Sequence, residues 1–460
     1  MLRYEHIFIR RGFMAALLLS GGLVLTQDTE RREIRADILI EDGVITRIDA
    51  GRSIDRSLAD EVVDASDCAV LPGFIDTHRH TWQTALRGMA AGESLLGYQH
   101  KIQGRFGAEF TPEDVYAGNL LGAYAAGQGG ITTLCDESHV QNSPGHSDAA
   151  IGGLADAGIR AVFDYGWPSV DAESWLRDSR REHPDYIRTM LKDDRWTSNP
   201  LLTFQMMLRG PLMTPIDVTA RDIAFARELG LRSVMHVIKG NIDTLAEAGL
   251  LGPDLTFVHC CDNSDEELQL IAGSGGSVSS SPNLELNMVG LGAPPIRRFI
   301  AAGIEPSLSI DVETSVAGDM FSTMRAALLS QTAEELYLGA SDRTRLTPRD
   351  IIRFATINGA RSCGLGEVTG SIEVGKRADL ILIRLDDLNV GPVDDAYAPD
   401  VIVASAHPGN VSTVIVDGNC VRRDGQPTDP RLAARSIRLA AESRSRLLAA
   451  TKIVPAVSCC

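Results

Sequence analysis

The sequence predicts an α/β fold, a distorted (β/α)8 TIM barrel that carries a small β-sandwich domain built from both ends of the chain. Three observations predict it. Strands alternate with helices through the middle of the chain, strand-like segments crowd both ends, and polar side chains follow several of the central strands. Such a barrel typically takes about 250 residues, so a chain of 460 residues has room for an appended domain.

Eight short apolar segments predict the barrel strands, because each is separated from the next by a helical or turn-forming stretch. We expect the first, 70–75, to be one buried strand. The helical stretches between the strands include 113–127, 217–229, 264–274 and 295–302. An open doubly wound sheet is the alternative, but no Gly-x-Gly-x-x-Gly turn follows the first strand. The other seven strand segments are 131–134, 161–163, 201–204, 233–235, 256–258, 277–279 and 307–310.

Both ends of the chain have the texture of strands and turns. Segments 34–40 and 44–48 flank the turn Glu41-Asp42-Gly43, and the apolar residues on either side of Ser20-Gly21-Gly22 predict a strand pair. Segments 378–383 and 411–416 repeat this texture. Because chain termini often lie close together, the two ends can form one small sandwich. Residues 430–451 are rich in Ala, Arg and Leu and predict a helix that covers the sandwich or a subunit interface.

This organisation predicts four segments. The N-terminal part of the sandwich is expected at 14–71, the barrel at 72–364, the C-terminal part of the sandwich at 365–428, and a helix and tail at 429–460. Residues 1–13 are interpreted as an upstream extension, with Met14 as the functional start. The run after Arg10-Arg11 imitates a secretory or twin-arginine leader, but no small-x-small cleavage site follows it.

Composition limits the partners and the compartment. A net charge of -17 argues against nucleic acid and anionic membrane surfaces, and no apolar run reaches the about 20 residues that a membrane helix needs. Eight cysteines without a Cys-x-x-Cys spacing suit reduced thiols in a cytoplasmic protein. We therefore expect a small-molecule substrate as the partner.

The strongest chemical signal is the pair His78 and His80 at the end of the first strand. Residues two apart on a strand point to the same face, so both imidazoles leave one side of the strand. Two neutral imidazoles held in this way form half of a zinc or iron site.

Polar residues also follow later strands: His236 after the fifth, His259 after the sixth and Asp311 after the eighth. In a barrel the C-terminal ends of the strands gather the chemistry. His236 and Asp311 would complete the ligand shell of one divalent ion that activates a water molecule. We expect Asp311 to accept that water's proton and His259 to hydrogen-bond the substrate or the hydroxide. His6, His183 and His407 follow no strand and are expected at the surface.

Residues 72–80, PGFIDTHRH, resemble the opening motif of the amidohydrolase superfamily, and 374–380, VGKRADL, resemble its usual return to the small β domain. The resemblance runs from about Leu17 to Gly425 and is closest to the cytosine/guanine deaminases and the triazine hydrolases, or chlorohydrolases. It implies one divalent ion, zinc in preference to iron or manganese, in a homodimer or larger homo-oligomer. It implies Gln83 as a substrate contact and His259 as the catalytic partner. The ligands that it implies are His78, His80, His236 and Asp311.

One departure from that family affects the chemistry. Deaminases of this group usually carry His-x-x-Glu after the fifth strand, whereas Lys239 stands at the position of the Glu here. An ammonium group cannot accept a proton unless its pKa is strongly depressed. Lys239 is therefore expected to bind an anionic substrate group or to donate a proton to the leaving group, with a solvated lysine as the alternative. Glu137 and Glu313 are alternative acids.

Several further residues are candidate substrate contacts, each with a structural alternative. Trp82, Tyr98 and His100 lie on the loop after the first strand and would line the pocket or simply pack. Arg209, near the fourth strand, would clamp a carbonyl or carboxylate group or be solvated. Asp76 would orient a ligand or cap a turn. The fourth strand ends without a lysine that could bridge two metals, so we expect one ion. Residues 279–283 are a candidate rim contact.

These signals together predict a metal-dependent amidohydrolase. Metal-activated hydroxide would hydrolyse a C–N bond, in an amide, a cyclic amidine or an amino group, of a small nitrogen-containing heterocycle. The alternatives are a hydrolytic dehalogenase of a heterocycle and a metal-dependent lyase or cyclase on the same scaffold. A catalytically silent scaffold protein would require lost ligands, and none of the expected ligands is missing.

Overall fold

The structure is a computed structural model that describes residues 15–338 and 345–453. Its strands are β1 Leu17–Leu25, β2 Glu33–Glu41, β3 Val44–Asp49, β4 Glu61–Asp64, β5 Cys68–Pro72, β6 Phe74–Arg79, β7 Ile131–Ser138, β8 Arg160–Tyr165, β9 Leu202–Leu208, β10 Ser233–Val237, β11 Leu255–His259, β12 Ser277–Ser280, β13 Ser307–Leu308, β14 Leu380–Arg384, β15 Val411–Val416, β16 Asn419–Arg423 and β17 Gln426–Pro427.

Helices fill most of the connections. The α-helices are α1 Leu95–Tyr98, α2 Pro112–Gln128, α3 Pro144–Ala157, α4 Ala172–Leu176, α5 Ile187–Met190, α6 Asp194–Thr197, α7 Ile216–Glu228, α8 Ile242–Glu247, α9 Asp265–Ser274, α10 Pro282–Glu285, α11 Ile296–Ala301, α12 Met320–Leu338, α13 Pro348–Phe354, α14 Ile357–Ser362, α15 Ala398–Ala404 and α16 Pro430–Thr451. A π-helical segment, Gln99–Phe106, follows α1.

Strands β6 to β13 pair in sequence order as eight parallel strands, which confirms the predicted barrel. Two backbone hydrogen bonds join its first and last strands: Asp311 N–H donates to His78 O and His80 N–H donates to Asp311 O, both over 2.9 Å. The barrel thus closes at the residues singled out as candidate metal ligands.

Both ends of the chain contribute to a second sheet, which confirms the predicted small β domain. Its nine strands form one continuous mixed sheet, in which β5 from the N-terminal part pairs with β14 from the C-terminal part. A separate core of buried aliphatic side chains lies against it, among them Leu19, Ile38, Val70 and Leu382.

Two strand predictions are wrong in detail. The run 70–75 divides at Gly73 into β5, which belongs to the end sheet, and β6, which belongs to the barrel. A side chain at Gly73 would collide with that of Thr132, so a glycine is needed where the chain passes between the sheets. The predicted pair around 20–22 is the single strand β1 with a bulge between Leu19 and Gly22, because its two halves pair with different neighbours, β4 and β5.

Helix α16 has the predicted extent, but of its two predicted positions the one on the end sheet is wrong. It packs on α2 of the barrel, not on the end sheet: the Tyr124 hydroxyl donates to Asp429 O over 2.8 Å, Arg435 donates to the Tyr116 hydroxyl over 2.8 Å, and Arg446 pairs with Asp114. No helix in the described ranges is long and apolar enough to cross a membrane.

Candidate metal centre

The barrel strands bring three histidines together at their C-terminal ends. His78 is the second-last residue of β6, His80 follows directly after that strand, and His236 lies in β10. The ring centroid of His78 is 4.9 Å from that of His80 and 4.8 Å from that of His236. The predicted convergence of these side chains is therefore present.

Asp311 joins this group from the segment that follows β13, where that segment pairs with the end of β6 and closes the barrel. Its backbone has a φ of +67°, a left-handed conformation that is uncommon outside glycine, and the two hydrogen bonds to β6 hold it there. Its Oδ1 lies 3.3 Å from His78 Nε2 and 3.4 Å from His80 Nε2.

These spacings fit a divalent ion. A tetrahedral zinc with ligand bonds of about 2.0–2.1 Å places its ligand atoms about 3.3–3.4 Å apart. In addition, both ring nitrogens of His78 and Nδ1 of His236 are buried without a hydrogen bond, a costly state for polar atoms unless another group satisfies them. His78, His80 and His236 with Glu137, and His78 and Asp311 with His259, form two overlapping clusters of potential ligand atoms.

His259 is held by a carboxylate that the sequence reasoning missed. Its Nε2 lies 3.3 Å from Asp311 Oδ2, and its Nδ1 lies 3.0 Å from Glu285 Oε1. Glu285 also accepts hydrogen bonds of 2.8 Å from Ser280 Oγ and from Ser281 N–H. The only sequence signal for Glu285 is its place in the short helix that begins directly after the seventh barrel strand.

Burial and charge set the protonation of these groups. Burial, reinforced by neighbouring imidazoles, holds the pKa of His80 and of His236 well below the usual value, which favours the neutral form that binds metals. Burial also opposes charge on His78 and Asp311. The carboxylates of Glu137 and Asp311 nevertheless raise the pKa of His78, and the imidazoles, His78 first, lower that of Asp311.

The site opens into a cleft that both polar and apolar side chains line. Among the described residues, no lysine or arginine lines it. Its polar lining consists of His80, Tyr98, Gln99, Gln103, His139, Ser169, His236, His259 and Asp311. Its apolar lining consists of Leu95, Trp167, Pro168, Ala172, Leu176, Met207, Leu212, Met213, Ile238, Leu284, Met288 and Leu291.

Two predicted cationic contacts do not reach this cleft. Lys239 is exposed and lies outside the lining, because the strand ends at Val237 and the chain then turns. Arg209 is fully buried, but its guanidinium donates to Asp222 Oδ2 over 2.6 Å and to Ser179 Oγ over 3.0 Å. The placement of both side chains thus gives no support for their expected roles.

Of the candidate substrate contacts on the loop after β6, one lines the cleft and the others do not. Tyr98 lines the cleft, and Gln83 stands behind it, donating to the Tyr98 hydroxyl over 2.7 Å. Trp82 is buried behind the lining, against Phe110. His100 is exposed and outside the lining.

Asp76 and Glu313 serve a buried ion network instead of the cleft. Asp76 accepts from Arg79 Nη1 and from Ile310 N–H, both over 3.0 Å, and so ties β6 to the segment before Asp311. Glu313 pairs with Arg79 at 3.0 Å and with Arg87 at 2.8 Å. Glu313 is therefore occupied by cations and does not replace the missing acid of the cleft.

The remaining histidines show what spacing alone misses. His139 lines the cleft between His80 and Trp167, and burial lowers its pKa to about 4. His183 was expected at the surface but is buried, with Nε2 3.0 Å from Met207 O. His407 is exposed as expected, and His6 lies outside the described residues.

Comparison with known proteins gives concordant results. The protein-family profile described as Amidohydrolase family matches residues 69–421. The 5'-deoxyadenosine deaminase of Methanosarcina mazei is 27% identical over 433 residues, covering 89% of this chain and 94% of that protein.

Solved structures share the fold. An adenosine deaminase from Xanthomonas campestris with bound zinc superposes with a TM-score of 0.77 at 24% identity, covering 93% of this chain and 98% of that one. An atrazine chlorohydrolase from Arthrobacter aurescens TC1 complexed with zinc superposes with a TM-score of 0.78 at 20% identity, covering 92% of this chain and 100% of that one.

Proposed function

Because the chain belongs to the amidohydrolase family, we propose that it is a zinc-dependent hydrolase that breaks a C–N bond in an uncharged nitrogen heterocycle with apolar substituents. One observation carries this proposal: Asp311 Oδ1 lies at tetrahedral-ligand distances from Nε2 of His78 and of His80, and Asp311 and His80 line a cleft that no described lysine or arginine lines.

The ligands proposed for the ion are His78, His80, His236 and Asp311. Imidazole and carboxylate donors suit zinc and also iron or manganese, and the zinc bound in two similar structures supports zinc as the first choice. When bound, such an ion lowers the pKa of a water molecule toward neutrality.

Two side chains then move and hold protons. Asp311 uses Oδ1 toward the imidazoles of β6 and has Oδ2 available to accept the proton of the attacking water and to pass it to the departing nitrogen. His259 is held by Glu285 at Nδ1, and its Nε2, 3.3 Å from Asp311 Oδ2, hydrogen-bonds the attacking water or the substrate.

The cleft lining supports the choice of substrate. Three methionines, five leucines, one isoleucine and Trp167 offer apolar contact at the wall. A carboxylate or phosphate on the substrate would meet no cationic side chain of the described lining. A buried anion without a counter-charge is strongly disfavoured. Gln103 and Tyr98 provide the polar contacts for ring nitrogens.

A matched substrate panel in 18-oxygen water tests the proposal. Aminotriazines and aminopyrimidines with neutral alkyl substituents are compared with the same rings bearing a carboxylate, using the zinc-loaded protein. We expect one labelled oxygen in the product, and kcat/KM at least tenfold higher for the neutral substrate of each pair. Turnover without label, or a preference for the anionic substrate, would contradict the proposal.

Hydrolytic dechlorination is the second candidate. It is favoured because Lys239 stands at the position of the family's usual glutamate and lies outside the cleft. Asp311 is the only carboxylate among the described residues that line the cleft. An amine leaving group needs a proton from an acid, whereas chloride leaves without one. Including the 2-chloro analogue of each ring in the panel distinguishes the two reactions: chloride release faster than ammonia release would favour dechlorination, and the reverse supports C–N hydrolysis.

Other predictions from the sequence are retained as proposals. The cytoplasmic location rests on cysteine usage, and the six cysteines in the described ranges are free. A homo-oligomer, the exclusion of nucleic acid, and the division of the chain at 71/72, 364/365 and 428/429 rest on the sequence alone.

A further inference from the structure

Glu137 is a buried carboxylate that the proposed chemistry does not use. It is the seventh residue of β7, is fully buried and does not line the cleft. Neither of its side-chain oxygens has a hydrogen-bond partner of ordinary geometry. A carboxylate in such a position needs a compensating charge or donor.

Its oxygens face two of the proposed ligands from behind. Oε1 lies 2.8 Å from Nδ1 of His78, and Oε2 lies 3.7 Å from Nδ1 of His236. His78 thus presents its two nitrogens to two different carboxylates, Nδ1 to Glu137 and Nε2 to Asp311.

We propose that Glu137 is a positioning residue that accepts the Nδ1 proton of His78 and so directs Nε2 of that ring toward the metal ion. This inference rests on the metal site of the proposed function. It assigns the tautomer of one ligand on β6 to a carboxylate of β7, whereas Nδ1 of His236, at 3.7 Å, lies beyond hydrogen-bond distance.

The distances separate this role from direct ligation. Ligand atoms around one tetrahedral ion lie about 3.3–3.4 Å apart, as Asp311 Oδ1 does from the Nε2 atoms of His78 and His80. The 2.8 Å between Glu137 Oε1 and His78 Nδ1 is instead a hydrogen-bond distance. Carboxylates that hold a ligand imidazole in this way commonly raise its basicity and its affinity for the metal.

The strand neighbours of Glu137 are themselves acidic: Asp136 precedes it, and Asp164 lies beside it in the register of β7 and β8. Asp136 is already paired with Thr81 N–H and Asn119. No arginine or lysine of the described chain forms an ion pair with Glu137.

Metal affinity tests the proposal without an activity assay. Zinc dissociation constants of Glu137→Gln and of the wild type are measured by competition with a chromophoric chelator. Loss of the carboxylate is expected to weaken zinc binding about 10–100-fold. Asp164→Asn, which removes the neighbouring buried carboxylate, is the matched control and should bind zinc as the wild type does.

The visible spectrum of the cobalt-loaded proteins decides how Glu137 acts. A positioning residue leaves the cobalt ligands, and hence the band positions and intensities, unchanged in Glu137→Gln at saturating metal. A changed spectrum would overturn the proposal in favour of direct ligation, and unchanged zinc affinity would overturn it altogether. If Glu137→Gln does not fold, the same two measurements are made on Glu137→Asp, whose shorter side chain withdraws the carboxylate from His78. A wild type that binds no metal would refute the proposed function itself, which keeps the two failures distinct.

Discussion

His259 and Glu285 form a buried pair at the edge of the cleft. His259 Nδ1 lies 3.0 Å from Glu285 Oε1, while Nε2 of the same ring lies 3.3 Å from Asp311 Oδ2. The backbone of His259 has a φ of +75°, so the ring is aimed by a strained turn as well as by its partner. Two Ser donors fix Glu285 in turn, which makes the ring orientation independent of substrate.

Replacing Glu285 is therefore expected to impair turnover more than binding. Glu285→Gln should lower kcat about 10–100-fold with a KM within about threefold of the wild type, because the imidazole loses its preferred tautomer while the cleft wall is unchanged. Steady-state kinetics with the best substrate of the panel measures both. Glu266→Gln, an exposed change on α9, is the control. A KM effect without a kcat effect would contradict the role given to Glu285.

Removing one proposed ligand should remove the metal. His78→Ala and Asp311→Asn are each expected to purify with less than a tenth of the metal of the wild type, and chelation of the wild type should abolish activity until zinc is restored. Elemental analysis measures the content. His100→Ala, a change at an exposed histidine outside the cleft, should retain full metal. Full turnover in thoroughly metal-free wild type would refute the metal site.

We expect the buried ion network around Arg79 to contribute strongly to the free energy of unfolding. Arg79 contacts Asp76 and Glu313, each at 3.0 Å, and its side chain is 1% exposed. Arg79→Met leaves the buried Asp76 without a paired cation and Glu313 with Arg87 alone, and it is expected to cost about 3–5 kcal/mol in the free energy of unfolding. Urea unfolding measures it. Arg177→Met, which breaks an exposed pair with Glu173, should cost less than about 1 kcal/mol, and equal effects of the two changes would contradict this account.

Local patterns in the sequence predicted the barrel and brought its candidate ligands to the strand ends, but they did not predict the direction of the chain after each strand. Apolar runs identify β7 to β13, and alternation along β6 places His78 and His80 on one side, because both signals are short-range. Alternation ends with the strand: β10 stops at Val237, so the direction of Lys239 depends on a turn that no pattern encodes. Arg209 is a different case, since it is buried as a strand-end residue can be, but its partner Asp222 lies on α7.

Lys239 is accordingly expected to be dispensable. Lys239→Ala should leave kcat/KM within about twofold of the wild type, and Lys239→Glu should not create deamination of aminopurines, because the side chain at this position is exposed and outside the cleft. The neighbouring Ile238 lines the cleft, so Ile238→Ala is the informative comparison and should raise KM. A loss of more than tenfold in Lys239→Ala would show that the lysine reaches the substrate.

Asp164 gives a pH-dependent prediction. Its two side-chain oxygens are buried without partners, and burial, followed by the nearby charge of Glu137, raises its pKa well above the usual value. Between the unfolded and folded pKa values the native state holds a proton that the unfolded state has released, so stability falls as pH rises, by up to about 1.4 kcal/mol per pH unit. Asp164→Asn lacks this proton. It should therefore be more stable than the wild type by a margin that widens from pH 5 to pH 8 in urea unfolding, whereas Asp262→Asn, at an exposed position, should follow the wild type. A margin that is constant with pH would mean that Asp164 is charged in the native state.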